Sequence, residues 1–286
     1  MKASQSPKSY GLNDPLTGAF FHFTEDLNAD QKLAFSMPLA NHILWNRSHQ
    51  KYTFFCDDQT VVIQPNSFCT LTALNFVKLP EDNNKLTAIS FNQEFYCIRD
   101  HDHEVSCNGI LFYGAQNFPL LPIPSEDQPG LEKLCDLFIQ EFKEVDPVHN
   151  EMLVTLLKLL IIRLTRIGKS KIRRVQGDHQ NIEIIRKFNF LVELNFRKKK
   201  QISDYAFLLN VSPKKLSEIF RNAKLDPPLV TIHKRIILEA KRMLLFSFKS
   251  INEISDELGF EDPSQLSKLF KKITKKTPSQ FKLMKD

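Results

Sequence analysis

Polar and basic side chains alternate with apolar ones in two similar stretches near the C-terminus. Residues 213–221 (Pro-Lys-Lys-Leu-Ser-Glu-Ile-Phe-Arg) match residues 263–271 (Pro-Ser-Gln-Leu-Ser-Lys-Leu-Phe-Lys), with Pro, Leu, Ser and Phe at the same places. Amide, hydroxyl and ammonium groups are the groups that hydrogen-bond to base edges and pair with phosphates. The two stretches therefore predict nucleic-acid recognition, carried out twice by one chain.

Each stretch is predicted to be the second helix of a helix-turn-helix unit. An apolar stripe at helical spacing precedes it, and a short turn follows the stripe, at residues 210–212 in the first copy and at Gly259 in the second. Ser212 and Asp262 are predicted N-caps, each followed by a proline that opens the helix. The second helix of such a unit enters the major groove with its N-terminal residues at base edges.

The predicted DNA contacts come from the polar positions of these two helices. Gln265 and Lys268 suit base edges, whereas Lys271 and Lys272 suit phosphates. The full predicted set is Ser212, Pro213, Lys214, Lys215, Ser217, Glu218, Arg221, Asp262, Pro263, Ser264, Gln265, Ser267, Lys268, Lys271 and Lys272.

The segment between the two units, residues 229–246, is predicted to be one continuous helix. About 18 residues at 1.5 Å each give a length of roughly 27 Å. Successive major grooves on one face of B-DNA lie about 34 Å apart. One chain is therefore expected to place its two recognition helices in adjacent grooves.

Charge is divided unevenly along the chain. Residues 1–168 contain 13 Lys and Arg against 20 Asp and Glu, a net charge of −7, whereas residues 169–286 contain 26 against 13 and carry +13. A basic half is typical of a polyanion-binding module joined to a second domain. Residues 198–200, Lys234 and Arg235 have two interpretations, phosphate contact or a solvated basic surface.

The first 168 residues predict a separate domain of strands followed by helices. Short apolar runs between turns predict strands at residues 42–45, 52–56, 61–63, 67–71, 86–91 and 110–113, and many short strands indicate a sandwich or barrel. Residues 1–30 are predicted to be irregular. Helices are expected at about 127–145 and 147–168, a linker at 169–179 and the DNA-binding domain at 180–286, which makes an α+β two-domain fold.

The second of these helices carries two apolar stripes. One has the steps of four and three residues of a coiled-coil seam, and the other is Met152, Leu156 and Leu159. One stripe is expected to pack on the sheet and the other on a second copy; the alternative is a helix buried on both sides within one subunit. The predicted dimerisation residues are Leu153, Leu157, Leu160, Leu164 and Ile167.

The C-terminal region, residues 180–284, resembles the AraC/XylS family of bacterial transcription regulators. Residues 235–244 resemble the connecting helix of that family, and residues 251–260, 270–272 and 277–281 resemble its C-terminal signature. The resemblance implies an all-α domain of two helix-turn-helix units joined by a helix. It also implies an N-terminal cupin-like domain that senses a ligand and dimerises.

The chain departs from the family pattern at four positions. Leu225 and Lys275 stand where the family usually has glycine after each recognition helix. Ser255 replaces the usual alanine, and Leu266 replaces the usual aromatic residue. The spacing is intact in both copies.

Few other residues have the spacing of a chemical site. Trp45 and Tyr52 are candidates to line a ligand pocket, with plain core aromatics as the alternative. His101 and His103 are the only close histidine pair, and the polarity around them predicts a solvated loop and no metal site. The five Cys form no C-x-x-C pair, so we expect neither a disulfide scaffold nor a zinc site. No catalytic motif occurs, so we expect no enzyme and no cofactor.

We therefore expect a sequence-specific DNA-binding regulator of transcription. By the family resemblance it is an effector-responsive activator that forms a homodimer and contacts RNA polymerase; the effector is an unknown small molecule. No signal peptide or membrane span is recognisable, which favours a cytoplasmic protein. The alternatives are a cupin-type metal-dependent enzyme or sensor with an appended DNA-binding domain, and a helical repeat that binds protein.

Overall fold

The protein divides into two compact units. The computed structural model describes residues 9–27, 40–56, 59–72, 75, 77–79, 86–98, 100–105, 107, 110–112, 119–144, 146–176 and 179–283. Contacts between Cα atoms place the boundary of the units between Arg174 and Val175. The described strands lie in the N-terminal unit and the C-terminal unit is helical, so the predicted α+β two-domain fold is confirmed.

The strands form two antiparallel sheets. They are β1 (Ser9–Asn13), β2 (Phe20–Thr24), β3 (Asn41–Asn46), β4 (Tyr52–Cys56), β5 (Gln59–Ile63), β6 (Ser67–Leu71), β7 (Val77–Lys78), β8 (Thr87–Phe91) and β9 (Leu120–Pro122). The larger sheet has the order β1-β2-β8-β3-β6-β9, and the smaller has the order β5-β4-β7.

The helices of the N-terminal unit are α1 (Asp102–Val105), α2 (Gln128–Glu141) and α3 (His149–Gln176). Those of the C-terminal unit are α4 (His179–Asn195), α5 (Ile202–Leu208), α6 (Pro213–Asn222), α7 (Pro228–Phe246), α8 (Ile251–Glu257), α9 (Pro263–Thr274) and α10 (Pro278–Lys282). Among the residues described, no helix is both long and apolar enough to cross a membrane.

The N-terminal unit is a sandwich of the two sheets with helices on one side. Tyr52 and Phe54 of β4 and Leu44 of β3 belong to one buried apolar cluster, which lies between the sheets. The opposite face of the larger sheet is covered by α2, where the rings of Phe21 and Phe138 stack with centroids 5.5 Å apart. Burial on both faces explains why β2 and β3 are apolar without strict alternation.

Two parts of the sheet differ from the sequence expectation. Strands β1 and β2 lie in the stretch predicted to be irregular, because Gly18 closes a hairpin turn in which its amide donates to the Asp14 carbonyl at 2.8 Å. The strand predicted at residues 110–113 is absent over its described part. The amides of Ile110 and Leu111 both turn to the carbonyl of Cys107, so they cannot pair with a strand. Tyr113 lies outside the described residues.

The predicted linker at residues 169–179 is helical as far as Gln176, because α3 continues without a break. Gly168 was expected to bound that linker, but it serves close packing instead. A Cβ built on Gly168 would lie only 2.7 Å from the Ile110 side chain. The glycine thus lets the helix approach the turn at Ile110 without ending the helix.

The C-terminal unit has one apolar core shared by its helices. Phe188 of α4 meets Tyr205 of α5 and Phe220 of α6 edge to face, with ring centroids 5.4 Å and 5.0 Å apart. Phe270 of α9 meets Phe281 of α10 in the same way at 5.5 Å. Because each of these rings belongs to a different helix, the core holds the helices at defined positions.

Candidate nucleic-acid interface

The first turn lies between α5 and α6 and is closed by backbone hydrogen bonds. Asn210 has a φ of 53°, and the Val211 amide donates to the Ala206 carbonyl at 3.0 Å. Asparagine adopts this left-handed conformation more readily than most residues because its short polar side chain can bond locally. Ser212 then caps α6 by accepting the Lys215 amide at 3.1 Å.

The second turn, between α8 and α9, is built in the same way. Gly259 has a φ of 71°, and the Phe260 amide donates to the Ser255 carbonyl at 3.0 Å. Asp262 caps α9 by accepting the Ser264 amide at 2.7 Å and the Ser264 hydroxyl at 2.6 Å. These two bonds lower the pKa of Asp262, so the cap is ionised at neutral pH.

The two recognition helices, α6 and α9, bury one side and expose the other. Leu216 and Phe220 of α6, like Leu266 and Phe270 of α9, are buried in the core of the unit. The predicted contact residues are exposed or half-buried and are Ser212, Pro213, Lys214, Lys215, Ser217, Glu218, Arg221, Asp262, Pro263, Ser264, Gln265, Ser267, Lys268, Lys271 and Lys272. Such a surface offers donors, acceptors and positive charge without exposing the core.

The connecting helix α7 has the length that two-groove binding needs. It contains 19 residues, one more than predicted, and spans about 28 Å at 1.5 Å per residue. Each end of α7 leads within a few residues to a helix-turn-helix unit. This length is of the same order as the spacing of adjacent major grooves, about 34 Å.

Lysine occupies the left-handed position after each recognition helix. Lys224 has a φ of 53° and Lys275 a φ of 64°. In the first unit the Leu225 amide then donates to the Phe220 carbonyl at 3.0 Å. In the first helix-turn-helix unit the left-handed residue is therefore Lys224 and not Leu225.

Arg235 is buried in an ionic cluster and is not available to phosphate. Its guanidinium donates to both carboxylate oxygens of Glu193, at 2.5 Å and 3.0 Å, and to Glu239 at 3.2 Å. Arg242 and Arg197 also donate to Glu239, at 2.8 Å and 3.0 Å. Burial alone would raise the pKa of Glu239, but the charges and hydrogen bonds of Arg235 and Arg242 outweigh it and lower the pKa.

The basic run at residues 198–200 is divided between two environments. Lys198 is exposed, as a phosphate contact requires. Lys200 is turned inward, and its ammonium donates to the carbonyls of Gly259 at 2.6 Å and Arg197 at 2.8 Å. Burial lowers the pKa of Lys200. Lys234 donates to Asp226 at 2.6 Å.

The structure does not bring the two candidate pocket residues together. Tyr52 points into the cluster between the sheets, as does Leu44 of β3. Trp45 follows Leu44 on the same strand, and successive strand residues face opposite sides of a sheet. Trp45 stacks instead on Phe68, with ring centroids 5.1 Å apart. Both candidates are buried, on opposite faces of the larger sheet.

The histidine pair lies at the short helix α1, where a loop was predicted. His101 precedes α1 with its Nδ1 atom 2.9 Å from the Cys97 carbonyl oxygen, and the side chain of His103 lies outside the described residues. Among the side chains described, no group of three His, Cys, Asp or Glu residues could hold a metal ion.

The predicted dimerisation seam is covered within its own chain. Leu153, Leu157, Leu160, Leu164 and Ile167 are all buried, at most 7% exposed. The other stripe of α3 is the outer one, since Met152 and Leu159 are exposed while Leu156 is buried. Periodicity identified both stripes, but the assignment of the seam to a partner copy is wrong because that stripe packs inside the unit.

A family model described as a helix-turn-helix domain matches residues 205–284. These residues form a helix-turn-helix domain of the AraC type. The match runs from α5 through the whole of α9, so it covers both turns and both recognition helices of the AraC-type domain. The chain is accordingly a DNA-binding regulator of transcription.

Solved structures similar to the chain include other AraC-type domains. The C-terminal domain of the two-component response regulator YesN from Fusobacterium nucleatum is 25% identical and covers 33% of this chain and 93% of that chain, with a TM-score of 0.32. An AraC-type transcriptional regulator from Chromobacterium violaceum is 19% identical and covers 38% of this chain and 96% of that chain, with a TM-score of 0.34. ToxT from Vibrio cholerae is 14% identical and covers 97% of this chain and 96% of that chain, with a TM-score of 0.42. No curated protein sequence matches the chain.

Proposed function

We propose that the protein is an effector-responsive activator of transcription in which each chain reads two blocks of sequence on one face of the DNA. The observation that carries this proposal is the pair of capped, exposed recognition helices at the two ends of the 19-residue helix α7. Bound to DNA in the cytoplasm, the protein would recruit RNA polymerase through a surface that the DNA leaves free.

The residues of the two helices have different roles in this proposal. Gln265 and Lys268, near the N-terminal end of α9, contact base edges, because the first turns of a recognition helix approach the bases most closely. Lys271 and Lys272 lie in the last turn of α9 and neutralise phosphates. In α6, Lys215 and Glu218 align with Gln265 and Lys268 and have the corresponding role.

Selection of bound sequences from a random DNA pool, with the full chain, tests the proposal. We expect a motif of two blocks about one helical turn apart. Gln265→Ala should relax the preference at one position of one block and cost about 1–3 kcal/mol, whereas Lys271→Gln should weaken all sequences alike and reduce the salt dependence by about one ion. Lys51→Gln, which removes one charge from the sandwich, is the matched control.

The outcomes of that selection separate two kinds of protein. Sequence-blind, salt-dependent binding would contradict the proposed base contacts. Binding that does not weaken with salt would contradict phosphate contact altogether, and would favour a helical repeat that binds protein.

We propose further that the sandwich senses a small molecule and that the protein is a homodimer. Met152 and Leu159 are exposed on the outer side of α3, and Val148 is exposed directly before the helix. The spacing from Val148 to Met152 is four residues and from Met152 to Leu159 seven. This spacing repeats that of a coiled-coil seam, so this outer stripe is the surface we assign to a partner copy. Sedimentation equilibrium should show a dimer that Met152→Glu with Leu159→Glu converts to a monomer. Ser170→Glu, exposed on the same helix, should leave the dimer intact.

A further inference from the structure

The segment that joins α4 to α5, residues 196–201, is firmly part of the first helix-turn-helix unit. The hydroxyl of Tyr205, in the middle of α5, donates to the Lys199 carbonyl at 2.8 Å. Gln201 is the N-cap of α5, and the Gln201 amide donates to the Asp204 carboxylate at 3.1 Å. Any movement of this segment would therefore move α5.

The same segment also holds the turn of the second unit. The Lys200 ammonium donates to the Gly259 carbonyl at 2.6 Å and lies 4.9 Å from the centre of the Phe260 ring. The approach is close, since a Cβ on Gly259 would lie only 2.1 Å from the Arg197 carbonyl oxygen. Gly259 is three residues before the cap of α9, so the position of this turn sets where α9 begins.

Arg197 adds a second connection between the two helix-turn-helix units. One of its guanidinium nitrogens donates to Glu239 of α7 at 3.0 Å, and another lies 3.6 Å from a carboxylate oxygen of Glu257 in α8. Glu239 is buried, whereas Glu257 is half-buried. The second helix-turn-helix unit is thus joined to α7 through the chain, and it contacts residues 196–201 through Gly259 and Glu257.

We propose that Lys200 and Arg197 are positioning residues that fix the distance and angle between the two recognition helices, and so determine the spacing between the two blocks of the DNA site. The proposal rests on the proposed two-block recognition. The bond from Lys200 to Gly259 opposes a rotation of α9 about the short connection between α7 and α8. Without this bond, the turn at Gly259 loses its direct hydrogen bond to residues 196–201, and the Arg197–Glu257 contact and the shared apolar core remain.

The test compares Lys200→Met with Lys198→Met on the full chain. Both substitutions remove one positive charge from the same run, and methionine retains most of the apolar stem of lysine. On the selected DNA site, we measure affinity with one base pair inserted or deleted between the blocks, which shifts them by about 3.4 Å and about 35°. On the sites with altered spacing, the wild type and Lys198→Met should bind about tenfold or more weakly than on the selected site, as for a mismatched block. Lys200→Met should lose less than about threefold in the same comparison.

Two results would overturn this role for Lys200. If Lys200→Met and Lys198→Met weaken every spacing equally, Lys200 acts only through its charge. If the wild type itself tolerates the altered spacing, nothing in the protein fixes the two blocks. If the wild type selects no two-block motif, the proposed function itself is contradicted, and this result is distinct from a failure of the positioning role.

A measurement without DNA tests the positioning role independently. Spin labels on Asn222→Cys in α6 and Lys272→Cys in α9, both exposed, report the distance between the recognition helices; Cys97→Ser removes the partly exposed native thiol. The distance distribution should broaden in Lys200→Met and stay narrow in Lys198→Met. An unchanged distribution in Lys200→Met refutes the proposal whether or not the protein binds DNA.

Discussion

Ser255→Ala should stabilise the C-terminal unit. Ser255 lies in α8 and is fully buried, and its hydroxyl has no hydrogen-bond partner among the described residues. Its backbone carbonyl closes the second turn by accepting the Phe260 amide, and alanine keeps that bond. The substitution removes only the hydroxyl group.

The expected gain follows from two contributions. A buried polar group left without a partner costs about 1–3 kcal/mol. Alanine is also a better helix former than serine, by about 0.5 kcal/mol. Together they predict an increase of about 1.5–3.5 kcal/mol in the free energy of unfolding. For a unit of this size the melting temperature should rise by about 6–14 °C.

The single tryptophan allows this effect to be assigned to one unit of the full chain. Trp45 is buried in the larger sheet, so its fluorescence reports the N-terminal unit, whereas circular dichroism reports mainly the helices. Ser255→Ala should move the circular dichroism transition to higher urea concentration and leave the fluorescence transition in place. The free energy of opening that hydrogen exchange reports for the α8 amides should rise by the same amount.

Ser267→Ala is the matched control, since Ser267 is a half-buried helical serine in α9. It should show only the helix-propensity gain. The reasoning about the buried hydroxyl is refuted if Ser255→Ala gains no more stability than Ser267→Ala.

Three further predictions concern the C-terminal unit. Gly259→Ala should lower the free energy of unfolding by at least about 2 kcal/mol in a urea titration, because position 259 combines a positive φ with the close Arg197 carbonyl. Asn210 already carries a Cβ, so Asn210→Ala adds no such contact at its positive φ and should cost about half as much. Lys275→Gly and Lys224→Gly should each raise the free energy of unfolding by about 0.5–1 kcal/mol, because glycine adopts the left-handed conformation without strain. Lys276→Gly, at an ordinary φ, should lower the free energy of unfolding. Equal effects at all three positions would contradict this account. Because the pKa of Glu239 is lowered in the folded protein, its contribution to stability is complete above the ordinary carboxyl pKa of 4.5 and is lost as the pH falls below that value. Urea titrations between about pH 6 and about pH 3 should therefore show a steeper acid loss for the wild type than for Glu239→Gln, and parallel curves would exclude Glu239 as a source of the acid sensitivity.

The sequence predicted those parts of the fold that depend on local signals. The caps at Ser212 and Asp262, the prolines after them and the turns at Asn210 and Gly259 are each specified within a few residues. Helical periodicity likewise located the connecting helix to within one residue. Both turns and both recognition helices of the candidate interface could therefore be placed before the structure.

Contacts between distant residues could not be predicted in this way. Arg235 meets Glu193 across 42 residues, and Lys200 meets Gly259 across 59, so neither partner is visible from spacing. On α3, periodicity gave two stripes with no means to decide which one the sandwich covers. The packing role of Gly168 depends on Ile110, which is also remote in sequence.

The two turns also show that the halves of the repeat are no longer interchangeable. Asn210 and Gly259 have nearly the same φ, so either residue suits the conformation of either turn. At Gly259, however, a Cβ would lie 2.1 Å from the carbonyl oxygen of Arg197, in the segment that precedes α5. Exchange is therefore permitted in one direction, since glycine at position 210 meets no obstacle while asparagine at position 259 would push the units apart. The two copies of the repeat therefore have a fixed order along the chain, with glycine required in the second turn and asparagine accepted in the first.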